Sequence, residues 1–446
     1  MEHAQTPEVA VIGGGPAGII AATGLAALDH RVIVFGHSRR HSAIEGVSER
    51  TVNALRLASC ERALEVVGPA LPRFTSWNGA SVESGVEHLV ERKHLDEALR
   101  EDAKQAGVQV IDARCDGWEE SERGCRLAAR RTTGEALRVE VRFVVDARGR
   151  AAPLDRASAA RGPATTALTR RWRASGSLHG SALASFERGW CWFAAPQAGP
   201  LQVQLVISSG SDELISRAAI ERFYQSLLCD IPEARRWLEG ASACSTVRAR
   251  DATPILGGPL VSARSLRVGD AAFAVDPLSG QGLFEAVATA LATAPVVNTL
   301  LRRPDDHGLA EGFYRQRVAD TFLRLARAGR DSYRAEHRWN GSVFWNERRA
   351  WPDDSPTRAG TGPASIETVA VSERGYIVSR RAVITPEYPR GVWRLDDVEL
   401  VPLLEFARAG RSEAERDPAA GYASRSGVPR ASVDRALSWL RRRGLL

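Results

Sequence analysis

The feature that most restricts this chain lies near its start. Val9-Ala10-Val11-Ile12 runs directly into Gly13-Gly14-Gly15-Pro16-Ala17-Gly18, an apolar stretch follows to Leu28, and Arg31-Val32-Ile33-Val34-Phe35 completes the unit. A short apolar run, a glycine turn and a longer apolar segment predict strand, turn, helix and second strand, the opening of a parallel α/β sheet. In that setting Gly13-x-Gly15-x-x-Gly18 lets the backbone approach a pyrophosphate where the helix begins, and Pro16 suits the first helical position. Free amides and roughly half a positive charge from the aligned peptide dipoles stand there for an anion. Gly13, Gly15, Pro16, Ala17 and Gly18 are therefore the candidate phosphate cradle, with a merely tight structural turn as the plainer alternative.

The second strand departs from the usual pattern. An acid that would hold an adenosine ribose belongs at its end, but the slot is Gly36, followed by His37, Ser38, Arg39 and Arg40. Ser38 and Arg39 are the candidates to replace it, with His37 or backbone groups as alternatives. Arginines here are also how a site admits a ribose phosphate, so this segment by itself fits an NADP-binding fold.

A length of 446 residues argues for two or three domains, and 44% hydrophobic with 26% charged residues excludes collagen-like and mostly disordered classes. Residues 95–106 predict a helix and 108–111 a strand; 139–145 predict another strand, closed by Asp146-Ala147-Arg148-Gly149. From about 165 to 255 the pattern changes to short strands (182–193, 202–207, 246–252) around one helix (216–238), and the first pattern resumes at 265–270 before an alanine-rich helix over 282–301. A Pro-, Asp- and Gly-rich stretch at 351–363 predicts a linker.

Gly269-Asp270, the run Asp276-Pro277-Leu278-Ser279-Gly280-Gln281-Gly282-Leu283-Phe284-Glu285-Ala286, the N-terminal turn, and Arg92 in Glu91-Arg92-Lys93-His94-Leu95-Asp96 together carry a family resemblance. Over about residues 8–301 the chain resembles FAD enzymes built like aromatic hydroxylases, tryptophan halogenases and geranylgeranyl reductases. The resemblance implies FAD as cofactor, with its pyrophosphate on Gly13, Gly15 and Gly18, Arg92 in contact with it and Asp270 bonded to the ribityl chain. The loop with Pro277, Gly280, Gln281 and Gly282 would present amides to the flavin's pyrimidine edge, which is negative when reduced and is stabilised as in an oxyanion hole. The implied architecture is α/β. A doubly wound FAD-binding Rossmann-like domain (1–160 and 245–350) carries an inserted antiparallel-sheet substrate domain (161–244), the 351–363 linker, and a small C-terminal winged-helix-like module (364–446).

The inserted sheet contains Gly189-Trp190-Cys191-Trp192-Phe193-Ala194-Ala195-Pro196, which resembles both the aromatic strand of the reductase group and that of flavin halogenases, without keeping the halogenase spacing from the second Trp to proline. Alternation puts Trp190 and Trp192 on one face, as substrate-cavity candidates or as core aromatics. A halogenase of this family uses a lysine near its substrate, and the chain has only Lys93 and Lys104 against 58 arginines. The expectation is therefore an FAD-dependent monooxygenase acting through a flavin hydroperoxide on an indole or similar ring, with dioxygen as co-substrate and NAD(P)H or another reductant. Water must be kept from such a site. No catalytic acid or base stands out; His179 and Arg248 could face a substrate, or serve surface and core roles. No metal is expected, since neither H-E-x-x-H nor another ligand spacing occurs among the nine histidines.

Residues 397–446 look like a winged helix-turn-helix end, but 364–446 hold 14 arginines against 11 acidic residues, a thin balance for DNA. Halogenase-like flavin domain, missing lysine, Trp-bearing sheet and possible peptide-reading tail together resemble flavoprotein monooxygenases that hydroxylate a protein-bound tryptophan in tryptophylquinone cofactor biogenesis. That implies a peptide or protein as substrate. A flavin-dependent reductase or dehydrogenase, a small-molecule halogenase and a flavin-sensing DNA-binding regulator are the alternatives. No run is read as the roughly 20 apolar residues of a membrane span, residues 1–8 lack a secretory layout, and the six cysteines form no C-x-x-C pair, so a cytoplasmic chain with reduced thiols and no membrane partner is expected.

Overall fold

In the computed structural model, which describes residues 7–37, 39, 41–153, 159–173, 178–210, 216–357, 362–409 and 417–446, strand Val9–Ile12 is the centre of a five-stranded parallel sheet. The strand order is Ser265–Arg267, Phe143–Asp146, Val9–Ile12, Val32–Phe35, Gln109–Ile111. The middle three strands are buried throughout, as a parallel sheet covered on both faces requires. Val9 and Val11 pack against helices Pro16–Ala26, Arg92–Gln105 and Gly282–Arg302 through Ile19, Leu95, Leu99 and Val287. Ala10 and Ile12, pointing the other way, meet Cys115, Cys125 and Leu127 of a three-stranded meander, Ala113–Ser121, Gly124–Arg131 and Ala136–Val141. This is a Rossmann-like α/β fold whose second cover, built from helices in a doubly wound sheet, is here a meander.

Gly282–Arg302 is long and apolar enough by composition to cross a bilayer, which corrects the expectation that no stretch approaches that length; it is mostly buried as the core helix behind the sheet.

The antiparallel sheet is wider than residues 161–244. Its nine strands include Thr165–Arg173, Gly180–Phe186, Gly189–Ala195 and Leu201–Ser208, and also Ile44–Val47, Ala70–Trp77 and Ala80–Glu91 from the stretch assigned to the cofactor domain. Gly180–Phe186 pairs in parallel with Ala70–Trp77, a contact across more than a hundred residues that no local pattern announces. The expected strand over 182–193 is two strands, turned at Glu187-Arg188. The expected helix over 216–238 is also two, Arg217–Cys229 and Pro232–Trp237, because Pro232 holds the preceding Ile231 in extended backbone and starts a new helix. Both helices pack on one face of the sheet through Phe223, Tyr224, Leu227 and Trp237.

Residues of the 351–363 stretch do not run free of the body. Trp351 packs on Phe322, and Asp353 pairs with Arg327 at 2.8 Å and with Arg330, both on the long helix His307–Arg334. The winged-helix-like module follows: a sheet of Ser365–Glu373, Tyr376–Thr385 and Tyr388–Val392, then helices Leu400–Ala409, Pro418–Ser426 and Arg430–Arg441 around Leu403, Leu404, Val433 and Leu437. Its first hairpin docks on the core helix. Asn298 donates to Gly375 O at 2.7 Å, and the Ile377 amide donates to Thr299 Oγ1 at 2.8 Å. Arg430, Arg435 and Arg443 are each paired within the module, to Asp417, Asp396 and Glu387.

Candidate active site

The glycine turn has the shape that its residues allow. Gly13 adopts φ +121°, and a Cβ there would lie 2.2 Å from Ala147 O; a Cβ on Gly18 would lie 1.9 Å from Gly13 O. Both positions therefore exclude any side chain, and helix Pro16–Ala26 packs tightly on the turn. Gly36 is explained in the same way: its Cβ would stand 2.4 Å from the Gly14 amide nitrogen. The close crossing of the two strand ends leaves no space there for the ribose-binding acid. Ser38 lies outside the described residues.

Gly15 differs from these. It caps the helix in extended backbone with Pro16 at the first helical position, and its Cβ would find only Arg92 Nη2, at 3.7 Å. The space in front of Gly15 and the first-turn amides of Ala17 and Gly18 is open to a ligand. Arg92, the first residue of helix Arg92–Gln105, is held there by Glu45 (2.6 Å) and Asp96 (2.7 Å), and Arg39 reaches the other Asp96 oxygen at 3.2 Å. Arg92 and Arg39 are thus brought together beside the turn. Arg250 joins them, its guanidinium held below its ordinary pKa by desolvation at the cleft wall and then by repulsion from Arg39 and Arg248. Glu45 resists the desolvation that would raise its pKa: Arg92, Arg39 and Arg250 hold it below the ordinary carboxylate value.

The remote segments converge on the same turn. Gly269, at φ +60°, presses on Ala17, whose Cβ is 2.7 Å from where a Gly269 Cβ would lie, and Gly149 of the Asp146-Ala147-Arg148-Gly149 segment stands beside Asp270. The Asp270 carboxylate is 43% accessible and 3.7 Å from Arg150. Desolvation by the surrounding cleft raises its pKa, opposed by Arg150 and Arg92. After Asp276 the chain makes a tight turn, Pro277–Ser279, reaches Gly280 in the left-handed region, and enters helix Gly282–Arg302. Neither Gly280 nor Gly282 has a neighbour within 4 Å of a Cβ position. The helix start therefore offers uncapped amides to an open space. Gln281 Oε1 is buried without a hydrogen-bond partner among the described residues.

Trp190 and Trp192 do share a face, but their surroundings differ. Trp190 is 2% exposed and sits among Leu183, Val206, Tyr333 and Trp345, while Trp192 is half-buried. The register places Trp192 in a cross-strand row with Leu183, Gln204, Thr169 and Arg248. Beside that row a cavity of about 320 Å³ is lined by His41, Thr169, Arg171, Gln202 and Arg248. His179 lies exposed at the sheet end, bonded to Pro196 O. Lys93 and Lys104 lie on the outer side of helix Arg92–Gln105, at least half exposed and paired with Glu97 and Glu101. Among the described residues no group of three His, Cys, Asp or Glu is placed to hold a metal. Glu45, Arg150, Arg250 and Tyr333 were not found from sequence; only Arg150, adjoining the Asp146-Ala147-Arg148-Gly149 segment, had a local signal.

These features define a dinucleotide-binding α/β flavoprotein, and the chain belongs to the FAD binding domain family, which it matches over residues 6–309. It is an FAD-dependent oxidoreductase of the aromatic hydroxylase and halogenase superfamily. Among solved structures it is similar to the peptidyl tryptophan dihydroxylase QhpG, essential for tryptophylquinone cofactor biogenesis. The two share 35% identity with a TM-score of 0.82, over 99% of this chain and 100% of that one. The flavin-dependent halogenase CmlS shares the fold at 18% identity and TM-score 0.76, over 99% of this chain and 96% of its own. A tryptophan 2-halogenase of Chondromyces crocatus is 23% identical over 384 residues, 78% of this chain and 72% of the halogenase. FAD fits the residues present: the turn at Gly15 and the open Gly280–Gly282 corner leave unfilled backbone cradles, and the unpartnered Gln281 oxygen faces a polar need that a ligand can meet.

Proposed function

We propose that the chain is an FAD-dependent monooxygenase that hydroxylates an indole, the side chain of a tryptophan in a peptide or protein precursor of a tryptophylquinone cofactor. The observation that carries this reading is the 35% identity to a peptidyl tryptophan dihydroxylase across the whole chain, tail module included. The surroundings of the lysines favour hydroxylation over halogenation: both are at least half exposed and paired with glutamates of their own helix. The ion-paired arginines of the last helix, Arg430 and Arg435, and Arg443 just after it favour a peptide over DNA as partner of the tail.

Bound FAD, once reduced, supplies the activation of dioxygen. The protein's own residues then have three tasks. Gly13 and Pro16 shape the turn, the Gly13 amide being bonded to Phe35 O, and the amides of Gly15, Ala17 and Gly18 would hold the pyrophosphate, with the guanidiniums of Arg92 and Arg39 beside it. Asp270 would accept from the ribityl hydroxyls, and the turn through Pro277, Gly280 and Gln281, whose Gly280 and Gln281 amides donate to Pro277 O and Ser279 Oγ, aims the helix-start amides from Gly282 onward at the edge where negative charge develops. The sheet face carrying Trp192, Gln204 and Thr169 receives the indole, stacks it and keeps water out.

The test supplies reductant, isotopically labelled dioxygen and a tryptophan-bearing precursor polypeptide to the purified enzyme. Labelled oxygen on the tryptophan is expected. Consumption of reductant with release of peroxide and no mass shift on the polypeptide contradicts the reading.

A further inference from the structure

The loop that begins at Asp276 is tied to the Trp-bearing strand by a buried chain of hydrogen bonds. Trp190 Nε1 lies 3.0 Å from Tyr333 Oη, which lies 3.1 Å from each Asp276 carboxylate oxygen, and the Leu278 amide donates to Asp276 Oδ1 at 2.9 Å. Trp190 and Tyr333 are 2% exposed and Asp276 is 7% exposed. The direction of the chain is fixed by chemistry: an indole N–H only donates, so the Tyr333 oxygen accepts from Trp190 and its one proton is directed to Asp276. Asp276 is therefore the acceptor end of the chain, with Arg348 and Arg150 as the cations that act on it.

A tie with no purpose beyond packing is a poor use of these groups. The cluster around Tyr333 is apolar, with Leu183, Val206, Phe344 and Trp345, and a carboxylate buried in such surroundings costs free energy that a phenylalanine–leucine contact would not. Asp276, through Leu278, caps the turn Pro277–Ser279, and that turn decides where Gly280 and the amides of the following helix start face. Tyr333, near the end of helix His307–Arg334, reaches both this turn and the strand that carries Trp192.

We propose that Tyr333 is a positioning residue for the cofactor: through Asp276 it sets the Pro277–Gln281 turn, and with it the helix-start amides from Gly282 onward, against the flavin, and through Trp190 it keeps that setting in register with the substrate strand. This rests on the assignment of the loop to FAD. Tyr333→Phe keeps the ring and its edge contacts with Phe344 and Trp345, at 5.9 and 5.7 Å, and removes only the hydroxyl. Asp276 then loses a donor and the turn it caps loses its tie to the strand, so the helix-start amides are less firmly set against the flavin and its reduced, negative form is less stabilised.

The holoenzyme variant is expected to take up FAD, to show a flavin midpoint potential more negative than wild type, and to couple a several-fold smaller fraction of its reductant to product. Asp276→Asn should likewise lower coupling, and it serves as the test if Tyr333→Phe fails to fold. Trp190→Phe should lower coupling while leaving the potential in place. A Tyr333→Phe or Asp276→Asn enzyme that is merely less heat-stable, with wild-type potential and coupling, overturns the inference. Wild-type protein that takes up no FAD refutes the flavin reading on which it rests.

Discussion

Gly15→Ala is expected to give a protein that folds as wild type and fails to hold its cofactor. The methyl group meets only the end of the Arg92 side chain, at an ordinary contact distance of 3.7 Å, in backbone that any residue adopts. It projects into the space where the pyrophosphate must approach the turn. Forcing a methyl into a packed contact costs about 1–3 kcal/mol, which weakens FAD binding by about 5- to 150-fold. Fluorescence titration gives the affinity and thermal unfolding of the apoprotein checks the fold. At Gly18 the same substitution would drive a Cβ into Gly13 O, so loss of binding there would not separate cofactor from fold. Gly15 is the informative position because the protein tolerates what the ligand does not. An unchanged affinity in Gly15→Ala removes the turn from the cofactor site.

The second large effect is a difference in product. With bromide or chloride in excess over the tryptophan polypeptide, mass spectrometry is expected to find oxygen added and halogen absent. Lys93 is 50% exposed and Lys104 55% exposed, each occupied by a neighbouring glutamate on the surface of its own helix. The double variant Lys93→Met, Lys104→Met should keep its turnover, since exposed pairs of this kind contribute at most about 1 kcal/mol to stability. Halogenated tryptophan in the wild-type reaction, lost in the double variant, would return the chain to the halogenases whose fold it shares.

Much of the cofactor side was legible because it depends on local rules. A glycine turn between strand and helix, and a proline-led turn before a long helix, are written in consecutive residues, and each occurs where the chain pattern placed it. Gly36 was legible only as an absence. Its reason, the approach of Gly14, belongs to a crossing of two strands that single-strand patterns do not encode. The sheet was misjudged in extent for a related cause: residues 44–91 pair with strands beyond residue 165, and such contacts follow from tertiary packing rather than propensity. Tyr333 was invisible. It sits on an amphipathic helix like any core tyrosine, and only the meeting of three segments reveals what its hydroxyl does. Trp190 was read as a candidate for the substrate cavity and lies instead in the core, donating to Tyr333, so Trp192 is the member of the pair with surface to offer.

The account rests on residues 13–18, 92, 269–270 and 276–282 forming one site for one FAD. The direct measurement is titration of the purified, cofactor-stripped protein with FAD, followed by absorbance and by quenching of flavin fluorescence. A yellow protein that retains an equimolar amount of FAD after gel filtration is the expected result. A colourless protein that leaves FAD free in solution at every concentration tried would contradict it.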